Sequence, residues 1–201
     1  MAMTLSAFEQ ARLHGEQAIR TTLLDAASHL LATEGVQALA LRRIAAEVGC
    51  STTVLYRLFG NKAGLLEALY AEGFERFQRR LAAVPKDPDP LVHLVGLSRA
   101  YRENALAERN YYKLMFGDPI PGFQPGEEAI LQAAPTFTIL QEAVADCAAA
   151  DLLIDAEPRH IAAALWAAMH GFVSLELAGH LPEPEAVLDT MHRTIAGQFL
   201  R

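Results

Sequence analysis

The sequence is poor in several residue types, and each shortage excludes a class of protein. It has only two cysteines, Cys50 and Cys147, so we expect neither a disulfide framework nor a cysteine zinc site. Two reduced thiols are typical of a cytoplasmic protein. The first 17 residues contain no apolar run and do not resemble a secretory signal peptide. The longest charge-free stretch, His160–Leu175, has 16 residues, fewer than the roughly 20 that a spanning helix needs, so it predicts a buried helix and no membrane partner.

Positive charge is also scarce. The chain has 17 Lys and Arg against 24 Asp and Glu, a formal net charge of −7, which has the wrong sign for a polyanionic partner. The deficit is uneven, however. Residues 1–80 hold nine basic and eight acidic residues (net +1), whereas residues 81–201 hold eight and sixteen (net −8). The first part of the chain is therefore free to carry a positive surface.

Apolar residues make up 52% of the chain, and their spacing is helical almost everywhere. We predict an all-α fold of about nine helices, with an N-terminal three-helix domain joined by a linker helix to a larger helical domain. The first helix is expected at about Glu16–Glu34, and Pro135 is expected to kink or delay a later one. The proline-rich stretch Pro85–Pro90 is the strongest boundary signal and divides the chain into domains 1–82 and 83–201.

Two short helical patterns at Leu41–Val48 and Thr52–Phe59 carry the most information. Gly49 between them suits the positive φ of a sharp helix end, and Ser51 suits the N-cap of the second helix. Leu55 and Phe59 lie four residues apart and point inward. A short helix, a glycine turn and a second exposed helix indicate a helix-turn-helix, whose second helix enters the major groove of DNA.

The polar residues around this pattern have side chains that suit DNA. Threonine hydroxyls and methyls at the start of the second helix can contact bases and phosphates, and guanidinium and ammonium groups can contact phosphates or guanine. The predicted DNA-binding residues are Arg42, Arg43, Ser51, Thr52, Thr53, Tyr56, Arg57 and Lys62.

The stretch Leu55-Tyr56-Arg57-Leu58-Phe59-Gly60-Asn61-Lys62-Ala63-Gly64-Leu65-Leu66 resembles the DNA-binding domain of the TetR family of bacterial transcriptional regulators. The resemblance covers Ile19–Phe77. It implies that Tyr56 and Lys62 hold the DNA backbone and that Thr52, Thr53 and Arg57 lie near base edges or phosphates. Two positions depart from the family pattern. Ala40 and Leu41 lack the usual hydroxyl, and Leu58 replaces a common histidine.

The resemblance also implies a C-terminal half that binds a small molecule and forms a homodimer. Leu165–Leu177 resembles a subfamily marked by Trp, His and Gly, here Trp166, His170 and Gly171. The sequence favours a cytoplasmic repressor that leaves its double-stranded DNA operator on binding a small apolar or aromatic effector, with no cofactor. The predicted effector-binding residues are Tyr101, Met115, Phe116, Phe137, Trp166, Met169 and His170. The predicted dimer interface comprises Ala164, Ala168, Gly171, Leu175, Leu188, Met191, Ile195 and Phe199.

The sequence leaves two alternatives to a ligand-responsive repressor. Glu157 with His160, and Asp189 with His192, have the spacing of a carboxylate–imidazole pair on one helix face, which an all-α metal-dependent enzyme would use. Both pairs lie near predicted helix starts, where capping and exposure explain them better, so no metal site and no catalytic residue is predicted. The other alternative is a regulator with no small-molecule ligand.

Overall fold

The computed structural model describes residues 6–117 and 120–199, and the side chains of residues 196–199 lie outside the description. The described residues form nine α-helices and one 3₁₀ turn, which confirms the all-α prediction. The helices are α1 (Ala7–Glu34), α2 (Leu41–Val48), α3 (Thr52–Phe59), α4 (Lys62–Ala82), α5 (Pro90–Ala107), α6 (Arg109–Phe116), α7 (Glu127–Ala149), α8 (Pro158–Leu177) and α9 (Pro184–Phe199), with the 3₁₀ turn at Val36–Ala38. They divide into two compact units. Residues 1–73 and 110–129 form the first, and residues 74–109 and 130–201 the second.

Helix α1 begins nine residues before the predicted start at Glu16, and this prediction was wrong. Ser6 caps the helix by accepting a hydrogen bond from the Glu9 backbone N–H at 3.2 Å, and the Glu9 carboxylate accepts one from the Ser6 N–H at 2.9 Å. This reciprocal capping box starts a helix without any apolar packing. The first buried side chain of α1 is Leu23, so apolar spacing detects only the later part of the helix.

The helix-turn-helix in the first unit has the predicted geometry. Gly49 ends α2 with φ +73° and ψ +32°, a left-handed conformation that costs glycine little. The Ser51 hydroxyl then accepts a hydrogen bond from the Thr53 N–H at 3.2 Å and caps α3. Leu55 and Phe59 point into the core, as predicted. That core also contains Leu23, Leu24, Leu30, Ile44, Leu65 and Leu69, all at most 2% exposed.

Residues 110–129, although late in the sequence, belong to this first unit. The Tyr111 hydroxyl donates to Asp25 on α1 at 3.2 Å. Further along, the Gly126 N–H donates to both carboxylate oxygens of Glu67 on α4, at 3.0 and 3.1 Å. Side-chain and backbone hydrogen bonds therefore attach α6 and the loop after it to α1 and α4.

In the second unit, α7 runs from Glu127 to Ala149 through Pro135, so the expected later start was wrong, while the expected kink stays a prediction. Proline removes one backbone hydrogen bond, the one to the carbonyl of Leu131. Leu131 is 66% exposed, and water can satisfy that carbonyl. The loss of one bond in an exposed turn does not end the helix.

The core of the second unit lies between α7 and α8. It consists of Val144, Cys147, Leu153, Ile161 and Ala162, with partly buried side chains from α5 packed against it. A buried ion pair joins α5 to α8.

Arg102 on α5 donates from Nε and Nη2 to the two carboxylate oxygens of Glu176 on α8, at 2.7 and 2.6 Å. Its Nη1 donates to Glu185 on α9 at 2.6 Å. Arg102 thus connects three helices.

Helix α8 is less buried than its sequence predicts. The stretch is apolar on nearly all sides, yet Ala164, Ala167, Gly171 and Leu175 are exposed on one side of the helix. By length and composition alone α8 could cross a membrane, with mean hydropathy 1.2, and 28% of that stretch is buried within the chain. The exposed face of this apolar helix consists mostly of small residues, so a second helix could pack closely against it.

Candidate nucleic-acid interface

The predicted DNA-reading side chains lie on the outer side of α3. Thr53, Tyr56 and Arg57 are exposed, Thr52 is half-buried, and the Tyr56 side chain is 53% accessible. Leu55 and Phe59 fix the opposite side of the helix in the core. Because Ser51 uses its hydroxyl to cap α3, it has a structural role in addition to its predicted contact with DNA.

The predicted cations differ in how their charges are compensated. Arg43 pairs with Glu47 at 2.7 Å and with Glu34 at 3.0 Å, and these hydrogen bonds, with Glu47 the larger cause, raise the pKa of its guanidinium. Arg42 is exposed and forms no ion pair within the described residues. The Lys62 ammonium donates to the backbone carbonyl of Val36 at 3.1 Å, which holds its position, and it pairs with no carboxylate of the described residues.

One further cation lies beside the recognition helix, and the sequence did not single it out. The guanidinium carbon of Arg20 on α1 lies 5.4 Å from the centroid of the Phe59 ring. Phe59 is the last residue of α3, so Arg20 lies at the C-terminal end of that helix. The sequence carries no readable signal for this contact, because it joins side chains 39 positions apart.

Four of the predicted effector-binding residues form one aromatic cluster in the second unit. The ring centroids of Phe137 and Trp166 are 5.7 Å apart, and those of Trp166 and His170 are 6.3 Å apart. The Tyr101 hydroxyl lies 3.3 Å from Nδ1 of His170. Burial lowers the pKa of His170, which favours the neutral imidazole. The cluster thus combines aromatic faces with one neutral polar pair, the Tyr101 hydroxyl and the His170 imidazole.

The other three predicted effector residues have different surroundings. Met169 is buried on α8. Met115 and Phe116 belong to α6 in the first unit, where Met115 lies against Gly73 and the ring centroid of Phe116 lies 4.9 Å from that of Tyr112.

The residues of the predicted dimer interface differ in how exposed they are in the single chain. Ala164, Gly171 and Leu175 are exposed, and Ala168, Met191 and Ile195 are half-buried. Leu188 is only 2% exposed within its own chain, so its side chain already packs inside the second unit. The side chain of Phe199 lies outside the described residues.

The two carboxylate–imidazole pairs do not form a metal site. His192 bonds to Ser98 at 2.6 Å, and Asp189 lies 3.8 Å from Arg99, so both side chains of that pair contact α5. Glu157 occupies the N-cap position of α8. Within residues 6–117 and 120–199, no group of three or more His, Cys, Asp or Glu side chains could hold an ion.

Comparisons with known proteins agree with this arrangement. Residues 23–69 match the profile of the bacterial regulatory proteins of the tetR family, and residues 94–197 match that of the tetracyclin repressor-like C-terminal domain. No curated protein matches the chain.

Solved structures match over nearly the whole chain. A protein of unknown function from Rhodococcus sp. RHA1 is 26% identical, with TM-score 0.79 over 90% of this chain and 95% of that one. NalD from Pseudomonas aeruginosa, the secondary repressor of the MexAB-OprM multidrug efflux pump, is 22% identical, with TM-score 0.69 over 94% and 98%. The fatty acid degradation regulator FadR from Bacillus halodurans is 17% identical, with TM-score 0.72 over 89% and 94%.

The second profile alone spans more than half of the chain, and the first covers the helix-turn-helix. The chain therefore belongs to the TetR family and is a DNA-binding transcriptional regulator.

Proposed function

We propose that the protein is a cytoplasmic, homodimeric repressor that leaves its operator when a small apolar or aromatic effector binds. Residues 1–82 would form the DNA-binding domain with its linker helix, and residues 83–201 the effector-binding and dimerisation domain. The observation that carries the DNA-binding part is the outer side of α3, where Thr53, Tyr56 and Arg57 are exposed on a helix whose start and inner side are fixed. Such a helix presents rigid polar groups to the major groove.

The roles of these side chains can be separated by substituting each one and measuring how DNA affinity then depends on salt concentration and on operator sequence. Tyr56 and Lys62 are assigned to phosphates, and Arg57, with Thr52 and Thr53, to base edges or nearby phosphates. We expect Lys62→Ala to weaken binding to all sequences and to make the salt dependence shallower, whereas Arg57→Ala should relax discrimination between operators. Binding would be measured on a DNA fragment selected from the genome by the protein. Unchanged affinity in Tyr56→Phe, Arg57→Ala and Lys62→Ala together would contradict the assignment.

The proposed dimer packs α8 and α9 of one chain against those of a second. The exposed face of α8 carries small side chains, and a Cβ atom added at Gly171 would meet nothing within 4 Å in its own chain. Gly171→Leu should therefore fold normally and dissociate the dimer, because the new side chain prevents close helix approach. Gly15→Leu, on an exposed part of α1 that also has nothing within 4 Å, is the matched control. Sedimentation should find Gly171→Leu monomeric and Gly15→Leu dimeric; two dimeric variants would refute this interface.

The proposed effector site is the aromatic cluster of Tyr101, Phe137, Trp166 and His170, with Met115, Phe116 and Met169 as further candidates. Its aromatic faces and neutral polar pair suit an apolar or aromatic compound better than a sugar or nucleotide. Occupation of the cluster would act through α4, which continues from one unit into the other, and would change the separation of the two recognition helices. The residues Trp166, His170 and Gly171 support assignment to the Trp-His-Gly subtype.

Trp166 is the only tryptophan in the chain, so its fluorescence reports on this cluster directly. A panel of neutral aromatic compounds should change the Trp166 emission and release the selected DNA fragment over the same concentration range. Phe137→Leu should weaken both effects equally. A compound that releases DNA without changing the emission would place the effector elsewhere, and a panel without effect would favour a regulator that has no small-molecule ligand.

A further inference from the structure

Three positively charged side chains lie at the junction of α3 and α4. Arg57 lies in the last turn of α3, and Lys62 is the first residue of α4. Arg20 reaches the same junction from α1, since its guanidinium lies over the ring of Phe59, between the other two in sequence. Two of these cations, Arg57 and Lys62, are predicted from the sequence. The third, Arg20, comes from α1, about 40 residues earlier in the chain.

Within the part of the chain that the structure describes, no carboxylate faces the charge of Arg20. Glu16, one turn earlier on α1, pairs with Arg12 at 3.5 Å, and Arg20 forms no ion pair within the described residues. The same holds for Arg57. This distinguishes both from Arg43, whose charge is shared between two glutamates. A cation that no carboxylate faces remains available to an anion such as a phosphate.

Two interactions within the protein also stabilise the position of Arg20. A guanidinium over an aromatic face is attracted to the ring, and a cation near the C-terminal end of α3 is attracted to the carbonyl end of the helix. Neither interaction requires the guanidinium N–H groups as hydrogen-bond donors, so these groups can still donate to a phosphate. Arg20 is half-buried, so part of it remains accessible to a phosphate.

We propose that Arg20 is an additional DNA-backbone contact, which extends the phosphate-binding surface from the helix-turn-helix onto α1. The inference rests on the DNA-binding role of the family. A phosphate there would accept hydrogen bonds from the guanidinium N–H groups of Arg20, whose position is held by the Phe59 ring.

The experiment separates a phosphate contact from a packing role. Affinity for the selected DNA fragment is measured over a range of salt concentrations for Arg20→Met, Arg20→Lys and Arg12→Met. Methionine retains a flexible apolar side chain over Phe59 but removes the charge. Lysine retains the charge. Arg12, on the same helix, is already paired with Glu16 and serves as the control for general loss of positive charge.

Each phosphate contact contributes about 0.9 to the slope of log affinity against log salt. We therefore expect Arg20→Met to make the slope shallower by about 0.9 per bound protomer. Between 50 and 200 mM salt this removes about a 3.5-fold loss of affinity per contact. Arg20→Lys and Arg12→Met should keep the wild-type slope.

Two results would overturn the proposal. The slope of Arg20→Met could equal that of the wild type, with or without weaker binding, which would leave only packing against Phe59. Arg12→Met could lower the slope as much as Arg20→Met, which would indicate a general charge effect. A wild-type slope in Arg20→Met together with a lowered melting temperature would assign the residue to folding. If the wild-type protein bound no fragment, the DNA-binding role itself would fail, and that outcome is recognisable without any variant.

Discussion

Arg102 gives the sharpest stability prediction, because one side chain makes three short charge-assisted hydrogen bonds to two helices. Its own side chain is 12% exposed and that of Glu176 is 9% exposed, whereas Glu185 is 79% exposed. The hydrogen bond to Glu176 is the largest cause that raises the pKa of Arg102 further above its ordinary range. The hydrogen bonds of Arg102 to Glu176 should therefore contribute much more to the free energy of unfolding than its hydrogen bond to Glu185.

Arg102→Met leaves the Glu176 carboxylate buried without a cation. Breaking a buried pair by removal of one partner costs about 3–5 kcal/mol. Glu185→Gln removes an exposed partner, for which about 1 kcal/mol or less is expected. Arg102→Lys retains the charge but not the planar fork that contacts both oxygens of Glu176, so it should rescue only part of the loss. The double variant Arg102→Met/Glu176→Gln removes the buried charge and should recover most of the stability.

Urea unfolding measures these differences, with Trp166 on α8 as the fluorescent reporter. All variants must be compared at one protein concentration, because dimerisation adds to apparent stability. The expected order of stability is wild type, Glu185→Gln, the double variant, Arg102→Lys and Arg102→Met. The reasoning fails if Arg102→Met loses no more than Glu185→Gln, since the buried pair would then contribute no more than an exposed one.

Three further predictions test local features. A Cβ at Gly64 would lie 2.1 Å from the backbone carbonyl oxygen of Phe59, so Gly64→Ala should cost about 1–3 kcal/mol of unfolding free energy, whereas Gly15→Ala, with open space, should gain up to about 1 kcal/mol from helix propensity. Equal melting temperatures would contradict this. Ser51→Ala removes the cap of the recognition helix and should cost about 1 kcal/mol in denaturant unfolding, and a smaller loss in Ser51→Asp would support the cap as the cause. Burial holds the folded pKa of His170 below its ordinary value of 6.5, so the unfolded chain binds more protons as pH falls below 6.5 and stability decreases there. Unfolding measured from pH 7.5 to 5 should show a weaker decrease in His170→Gln; an unchanged pH profile would exclude this histidine.

The helix-turn-helix could be predicted from sequence almost to the residue, because its signals are local. Gly49 needs its positive φ, Ser51 needs only its own hydroxyl and a nearby N–H, and Leu55 and Phe59 need only helical spacing. The start of α1 was missed although its signal is equally local. Ser6 and Glu9 form a capping box, but the helix they start has no buried side chain before Leu23, so apolar spacing does not reveal its first turns.

The partners of charged residues could not be predicted in the same way. Glu47 lies four residues after Arg43 and is readable from the sequence, whereas Glu34 reaches Arg43 from the end of another helix. Arg20 over Phe59 and Arg102 with Glu176 join positions 39 and 74 residues apart. Such contacts depend on how helices pack. The sequence therefore identifies which side chains carry charge, and the structure decides which charges are neutralised.

This distinction resolves the apparent conflict between an acidic chain and a DNA-binding function. A net charge of −7 counts every acid equally, but DNA interacts with the local field at its own surface. Near the recognition helix, Glu34 and Glu47 both face Arg43, and Glu16 faces Arg12. The Arg12–Glu16 pair is neutral, and Arg43 with its two glutamates retains a net charge of −1. Arg20, Arg42, Arg57 and Lys62 form no ion pair within the described residues, so these four positive charges remain available to phosphates. The salt dependence of DNA binding should follow these four residues rather than the net charge of the domain or of the chain.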